Sequence, residues 1–216
     1  MFSYESKAKK QGYDLIVGID EAGRGPLAGP VVASAVALRD TEFQSRIDDS
    51  KKLTSQQRET AFLEIFDKAY VGIGIISESV IDEINILQAT FVAMSHAVER
   101  LVERLPDDFK SGADWPHRIV LLVDGNLFRT QLPYKFQTII DGDCLSRSIS
   151  CASIVAKVTR DRILNSYDQV FPQYGFKKHK GYSTPQHLEA LRKFGPSVIH
   201  RKTFRWANEP LETKFR

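Results

Sequence analysis

Four carboxylates in this chain stand where a sheet would deliver them to one place. Asp20 and Glu21 end a short apolar run, Asp14–Asp20, and Asp124 ends a second, Arg118–Val123. Asp143 lies just beyond a third segment, Lys135–Asp141. In α/β proteins ligands bind outside the carboxyl ends of the strands, where loops and helix N-termini converge. If these strands are neighbours, the four acids share one small volume, and like charges that close do not all ionise unless a dication compensates. Oxygen ligands with no accompanying His or Cys cluster suit Mg²⁺ or Mn²⁺ rather than zinc. Such a cluster can hold two metals that activate a water and stabilise a leaving oxygen in phosphoryl transfer. Each acid also has a local reading: Asp124-Gly125-Asn126 makes a good turn, and Asp143 suits a helix N-cap.

The loop between the first two apolar runs, Gly23–Pro30, resembles two phosphate-binding motifs and satisfies neither. Gly23-x-Gly25-x-x-Ala28 after a strand matches the dinucleotide fingerprint, but that fingerprint must open a helix. Here Pro26, Gly29 and Pro30 oppose a helix, and Asp20-Glu21 would repel a pyrophosphate. Gly18-x4-Gly23 continues as Arg24-Gly25, not Lys-Ser/Thr, so it is not a P-loop either. The loop reads instead as irregular backbone beside the acids, its glycines allowing a ligand close to the main chain. A tight link between two antiparallel strands is the simpler alternative. A basic segment, Phe176–Thr184, sets Lys177, Lys178 and Lys180 around Tyr182, and Asp48–Leu53 carries Lys51 and Lys52. Lys and Ser/Thr bind phosphates and an aromatic stacks on a sugar or base. A solvated turn before a helix has the same composition.

The elements that must position these residues follow from apolar periodicity. Asp14–Asp20, Pro30–Leu38, Ala69–Ser77, Arg118–Asp124 and Lys135–Asp141 read as strands. Thr54–Lys68 reads as a helix with a Thr54/Gln57 capping box. Ser79–Arg104 has apolar residues at helical spacing, as one helix or two, and Pro106–Pro116 is a polar loop. Ser146–Val170 is a long helix. Thr184–Phe194 is another, with Thr184 as N-cap, Pro185 at its first position and Gly195 past its end. Early strands joined by short loops and later ones by helices give an α/β domain with a mixed sheet.

With 216 residues, 42% hydrophobic and 26% charged, the chain is of ordinary globular composition and long enough for one buried core. Its apolar runs of about eight residues fall short of the ~20 that span a bilayer. The N-terminus lacks a signal-peptide pattern, and Cys144 and Cys151 suit neither a disulfide scaffold nor a zinc site. Both are expected to be core thiols, in a cytoplasmic protein. The formal charge of +3 is uneven: residues 176–216 carry a net +7 and residues 1–175 a net −4. The basic end reads as a helical appendage that contacts a polyanion, or as a solvated tail.

In order along the chain, these segments resemble the type 2 ribonucleases H, the ribonuclease HII family. The resemblance is carried by Gly18–Val32 (GIDEAGRGPLAGPVV), Asp49–Leu53, Ile84–Thr90, Val123–Asn126, Gly142-Asp143, Ser153–Asp161, His179–Tyr182 and His200–Phe204. It implies a ribonuclease H-like fold, a mixed five-stranded sheet flanked by helices with a C-terminal helical extension. Residues 1–175 would form the catalytic domain and 176–216 the extension, in one structural unit. It further implies metal-dependent cleavage of RNA in RNA–DNA hybrids and incision 5′ to ribonucleotides embedded in DNA, leaving 3′-hydroxyl and 5′-phosphate ends. Asp20, Glu21, Asp124 and Asp143 would hold two Mg²⁺ or Mn²⁺ ions. The Gly23-Arg24-Gly25 backbone and Tyr182 would recognise the ribonucleotide and its junction with DNA, and Lys51, Lys180 and Thr184 would position phosphates. Arg24, where the related HIII enzymes usually carry Lys, favours type HII. Ser183 and Cys151 depart from the family's usual Gly and Ala. Pro210–Arg216 lacks the Gln-x-x-Leu-x-x-aromatic-aromatic box by which some archaeal relatives bind a sliding clamp, and a monomer is expected. A non-catalytic nucleic-acid-binding protein would leave the acids unneeded. Another nuclease of the same superfold would lack the ordered Gly-Arg-Gly and Gly-Tyr segments.

Overall fold

The computed structural model describes residues 3–205. Five strands form one mixed sheet: β1 (Leu15–Ala22), β2 (Val31–Leu38), β3 (Ala69–Ile76), β4 (Ile119–Asp124) and β5 (Lys135–Ile139), in the order β3-β2-β1-β4-β5. The first three pair antiparallel, and β4 and β5 continue parallel to β1. All five strands expected from the apolar runs are present. The first runs two residues past Asp20, because the antiparallel ladder with β2 pairs Glu21 with Ala33 and Ala22 with Val32.

Helices cover both faces. On one side α3 (Glu78–Glu103) packs Ala93, Met94, Ala97 and Leu101 against Val17, Ile19 and Leu121 of the sheet. Its helical geometry breaks at Asn85 (φ 66°, ψ 162°), whose side-chain oxygen accepts from the N–H groups of Leu87 and Gln88. Asn85 thus caps a second helix, so the segment is two helices across a kink. On the other side lie α2 (Ser55–Lys68), started by the expected Thr54/Gln57 box, and α5 (Arg147–Val170). The long helix presses on the sheet at Gly18, where a Cβ would sit 2.1 Å from the Ser148 carbonyl carbon. No other residue fits that approach.

Two short elements had no periodicity to announce them. The N-terminal α1 (Ser3–Lys10) buries Glu5, whose carboxylate accepts from the Ser146 and Ser148 hydroxyls and the Ser148 N–H at the start of α5. An anion at a helix N-terminus is favourable, and this one fixes where α5 begins. A single turn, α4 (Gly142–Leu145), precedes α5, whose N-cap is Ser146, so Asp143 is not the cap its local reading suggested.

The basic C-terminal part contains α6 (Phe176–His179) and α7 (Pro185–Phe194), with Thr184 as N-cap of the latter. It folds back on the loop after β1. Leu27 N–H donates to Gly181 O, Gly29 N–H to Ile199 O, and Arg201 N–H to Leu27 O. Leu27, Ala28 and Leu164 share an apolar cluster with Tyr174, Phe176, Leu191 and Ile199. The absent clamp-binding box and the basic residues Lys214 and Arg216 lie outside the described residues. The expectation of two core thiols is corrected at one position: Cys151 is buried, but Cys144 is only half-buried, on the short α4, where it accepts from Lys52 Nζ at 3.3 Å.

Candidate active site

Strand register brings the acids together. Ile19 pairs with Val123 across β1 and β4, so the next residue on each strand is a carboxylate, Asp20 and Asp124. Asp124 in turn pairs with Ile139 of β5, and the chain reaches Asp143 four residues later. Successive strand residues point to opposite faces. Asp20 therefore faces α5, where it takes a hydrogen bond from Ser153, and Glu21 is directed the other way, reaching the α3 side beside Thr90.

Each acid is tethered separately. Asp20 Oδ1 accepts from the Glu21 N–H at 2.7 Å, and Asp124 Oδ1 from the Gly142 N–H at 2.8 Å. Glu21 pairs with Arg24 at 3.2 Å, and Asp143 with Lys51 Nζ at 3.8 Å. The cluster is electrostatically strained. Burial, then the charges of Glu21 and Asp124, pushes Asp20 well above the usual carboxylate range. Burial raises Glu21 despite Arg24, and Asp124 despite the N–H groups of Gly142 and Asp143. Asp143 is raised by burial and by its neighbours Asp124 and Asp49. Burial works against the Lys51 ammonium, but the carboxylates around it outweigh that and hold its pKa up.

Asp49 is thus a further carboxylate at the site that was read only as part of a phosphate-contacting segment. Among the described residues, no three His, Cys, Asp or Glu side chains converge into a ready-made ligand set. The chemistry still suits a hard dication. The donors are all carboxylates, Asp20, Glu21 and Asp124 line one cleft with Asp143 close to Asp124 and Lys51, and the surplus negative charge that burial and repulsion oppose is what a dication would neutralise.

The same cleft is walled by Gly23, Arg24, Gly25, Lys51, Lys157 and Tyr182. Lys180 and Thr184 do not line it. Lys180 has a left-handed backbone (φ 53°) and its ammonium is bonded to Asn165 of α5; Thr184 Oγ1 accepts from the His187 N–H as the cap of α7. Tyr182 is 46% exposed and its ring lies beside Gly25, whose position would carry a Cβ 3.8 Å from the ring.

Two arginines shape this wall, and nothing in the local sequence set them apart from surface charge. Arg160 and Arg201 are 1% and 2% exposed. Arg160 donates to the carbonyls of Pro30, Ala28 and Lys180, each at 3.0 Å. Arg201 donates to Gly23 O (2.5 Å), Arg24 O (2.9 Å) and Gly29 O (2.7 Å from Nη2). Burial lowers the pKa of both, Arg201 to about 9 with the Arg160 charge adding to the fall, and Glu78 on the first turn of α3 is one of the acidic groups that oppose the shift in both. Gly23 is required where it stands: its φ is 98°, and a Cβ would meet Arg160 Nε at 2.0 Å. The carbonyls of Gly23 and Arg24, expected to be open to a ligand, are directed inward to Arg201. A trans peptide turns the following N–H the opposite way. The Arg24 and Gly25 N–H groups therefore point away from the guanidinium.

Residues 17–208 match the family model for ribonuclease HII. A ribonuclease HII of Geobacter sulfurreducens is 50% identical over 98% of this chain and 91% of its own length. Another, of Acetivibrio thermocellus, is 51% identical over 94% of the chain and 75% of the relative. The crystal structure of ribonuclease H2 from Pyrococcus horikoshii superposes with a TM-score of 0.65 at 26% identity, covering 88% of this chain and 93% of that one.

Proposed function

The chain belongs to the ribonuclease HII family, a group of metal-dependent endonucleases that cleave the RNA strand of RNA–DNA hybrids, and we propose that Asp20, Glu21, Asp124 and Asp143 form its catalytic centre. The observation that carries this is the β1–β4 register, which sets Asp20 beside Asp124 in a cleft whose opposite wall is the Gly23–Gly25 backbone. The four carboxylates would hold Mg²⁺ or Mn²⁺ ions. When bound, such ions supply Lewis-acid stabilisation of phosphoryl oxygens and lower the pKa of water.

The chain's own groups do the rest. Lys51 and Lys157 place positive charge at the cleft for the phosphates flanking the cut, contacts that weaken with salt and specify no base. The Arg24 and Gly25 N–H groups are donors held rigid by Arg201, suited to a ribose 2′-OH, the group by which protein distinguishes RNA from DNA. Tyr182, beside Gly25, packs on the adjoining sugar. Together these recognise an RNA–DNA junction and favour incision 5′ to a single embedded ribonucleotide, with 3′-hydroxyl and 5′-phosphate products. Residues 1–175 are the catalytic domain and 176–216 the extension, of which the described residues 176–205 complete the recognition wall. The substrates place the enzyme in the cytoplasm, and no helix among the described residues is long and apolar enough to cross a membrane.

A labelled duplex carrying one ribonucleotide, incubated with and without Mg²⁺ or Mn²⁺, tests the reading. Cation-dependent incision on the 5′ side of the ribonucleotide is expected. A cut elsewhere, or a cut in the presence of a chelator, overturns it.

A further inference from the structure

Three histidines that the catalytic reading leaves unused are buried together under Tyr182. His179, His187 and His200 are 8%, 0% and 5% exposed. His179 and His187 stack with ring centroids 4.3 Å apart, and His187 Nε2 lies 3.0 Å from His200 Nε2. The groups facing them are one another, the rings of Phe176 and Tyr174, and Asp168, the one charge that bears on His179.

Their partners fix every proton. The carbonyls of Tyr174 and Tyr182 only accept, so His179 Nε2 and His187 Nδ1 donate to them, at 2.7 and 2.9 Å. The N–H groups of Gly181 and Ser197 only donate, so His179 Nδ1 and His200 Nδ1 accept, at 3.2 and 2.8 Å. A neutral His187 that donates through Nδ1 must accept through Nε2, and His200 Nε2–H supplies that proton. One assignment satisfies every contact, and all three rings are neutral in it. Burial holds His187 and His200 down at about 4, so both are neutral at pH 7.

We propose that His187 is a positioning residue for Tyr182: its Nδ1–H, kept in that tautomer by His200, holds the Tyr182 carbonyl and so the place of the ring at the cleft. The proposal rests on the reading of Tyr182 as a junction-recognising group. His200 also precedes Arg201, which holds Gly23 and Arg24. One imidazole relay therefore joins the two segments of the recognition wall, Gly23–Gly25 and Gly181-Tyr182.

Two measurements on the full chain test it. Long-range ¹H–¹⁵N imidazole spectra of the unsubstituted protein should show His187 as Nδ1–H, with His179 and His200 as Nε2–H. Single-turnover rates are then compared on a duplex with one ribonucleotide and on a continuous RNA–DNA hybrid. His187→Gln keeps a group at the Nε2 position but no donor toward Tyr182. It should lower the single-ribonucleotide rate about tenfold relative to the hybrid, the scale of one lost buried hydrogen bond. His187→Asn restores an amide N–H near Nδ1 and should recover the ratio to within about threefold.

Equal losses in the two variants, or a His187 protonated at Nε2, overturn the proposal, and the second outcome needs no variant to fold. Tyr182→Ala separates the two layers. An unchanged substrate ratio there sinks the Tyr182 reading and this proposal with it. A changed ratio there, with none in His187→Gln, sinks this proposal alone.

Discussion

The two walls of the cleft are built on opposite principles. The acid wall is under-compensated: four carboxylates delivered by strand ends and a short turn, each raised above its usual range by burial and all but Asp124 also by neighbouring acids. The recognition wall is over-determined. Two buried guanidiniums make six hydrogen bonds to carbonyls of the loop between β1 and β2, and three imidazoles tie down the segment beside it. One wall carries negative charge that a dication would neutralise, and the other has no slack to give. On the proposed roles the contrast would keep cutting separate from choosing: ions would supply the chemistry, and the rigid backbone of the other wall the selection.

Substitutions that cripple one wall and spare the other would sharpen this comparison. The largest effect should come from Asp124→Asn, which removes a charge from the centre of the acid wall. Cleavage of a hybrid should fall at least about a thousandfold, the scale of losing a group that acts on the transition state. Binding to the hybrid should persist, as read by fluorescence anisotropy in chelator. Retained cation-dependent cleavage would break the assignment of the acid wall.

Next is Arg201→Lys, which keeps the charge but not the planar fork. Stranding the carbonyls of Gly23, Arg24 and Gly29 should cost about 3 kcal/mol of stability, seen in urea unfolding. The single-ribonucleotide rate should fall more than the hybrid rate, and Mn²⁺ affinity, measured by calorimetry, should be unchanged. A loss of metal affinity would show that the walls are not independent.

Stability against pH separates the walls by sign. In metal-free protein the acids have folded-state pKa values above their unfolded ones, so what they contribute is present at low pH and lost as pH rises through the raised values. His187 and His200 do the reverse, since their folded values near 4 lie below the unfolded ~6.5. Their contribution is full above about 6.5 and lost as pH falls toward 4. Asp143→Asn should therefore raise the metal-free Tm at pH 7 by roughly 2–4 °C, and added Mn²⁺ should raise that of the unsubstituted protein. Neither change should move the acid-side fall set by the histidines.

The smallest effect is expected from Arg24→Ala. Arg24 is half exposed in its pair with Glu21, so stability should change by no more than about 0.5 kcal/mol. A large loss would mean that the Arg24 side chain, rather than Arg201, stiffens the loop.

The acid wall was legible because it obeys local rules. Apolar runs bounded by charge gave the strands, and residues at strand ends are easy to find. Asp49 escaped because it stands beside basic residues that suggested another role. The recognition wall was legible only in part. Gly23, Arg24, Gly25 and Tyr182 announced themselves, but what holds them did not. Arg160 sits amid a helix and Arg201 in a basic stretch, and in sequence a buried arginine looks like a solvated one. Only the fold reveals that the guanidinium at 201 is spent on carbonyls at 23, 24 and 29. The count of +7 in the C-terminal part therefore overstates the charge offered to a polyanion, since Arg201 faces inward and Lys180 is taken up by Asn165.

The return of Arg201 to a loop 172 to 178 residues earlier has a consequence for how the protein is made. Translation is vectorial. At about 5–20 residues per second, Asp143 leaves the peptidyl centre several seconds before Arg201 does. All four acids can thus be present in a nascent chain whose recognition loop still lacks its anchor. On the proposed roles, a chain halted or clipped in that interval would have its acid cluster and no fixed recognition loop. On that proposal, an anchor late in the chain would make selectivity the last property the molecule acquires, and the first that C-terminal truncation would remove.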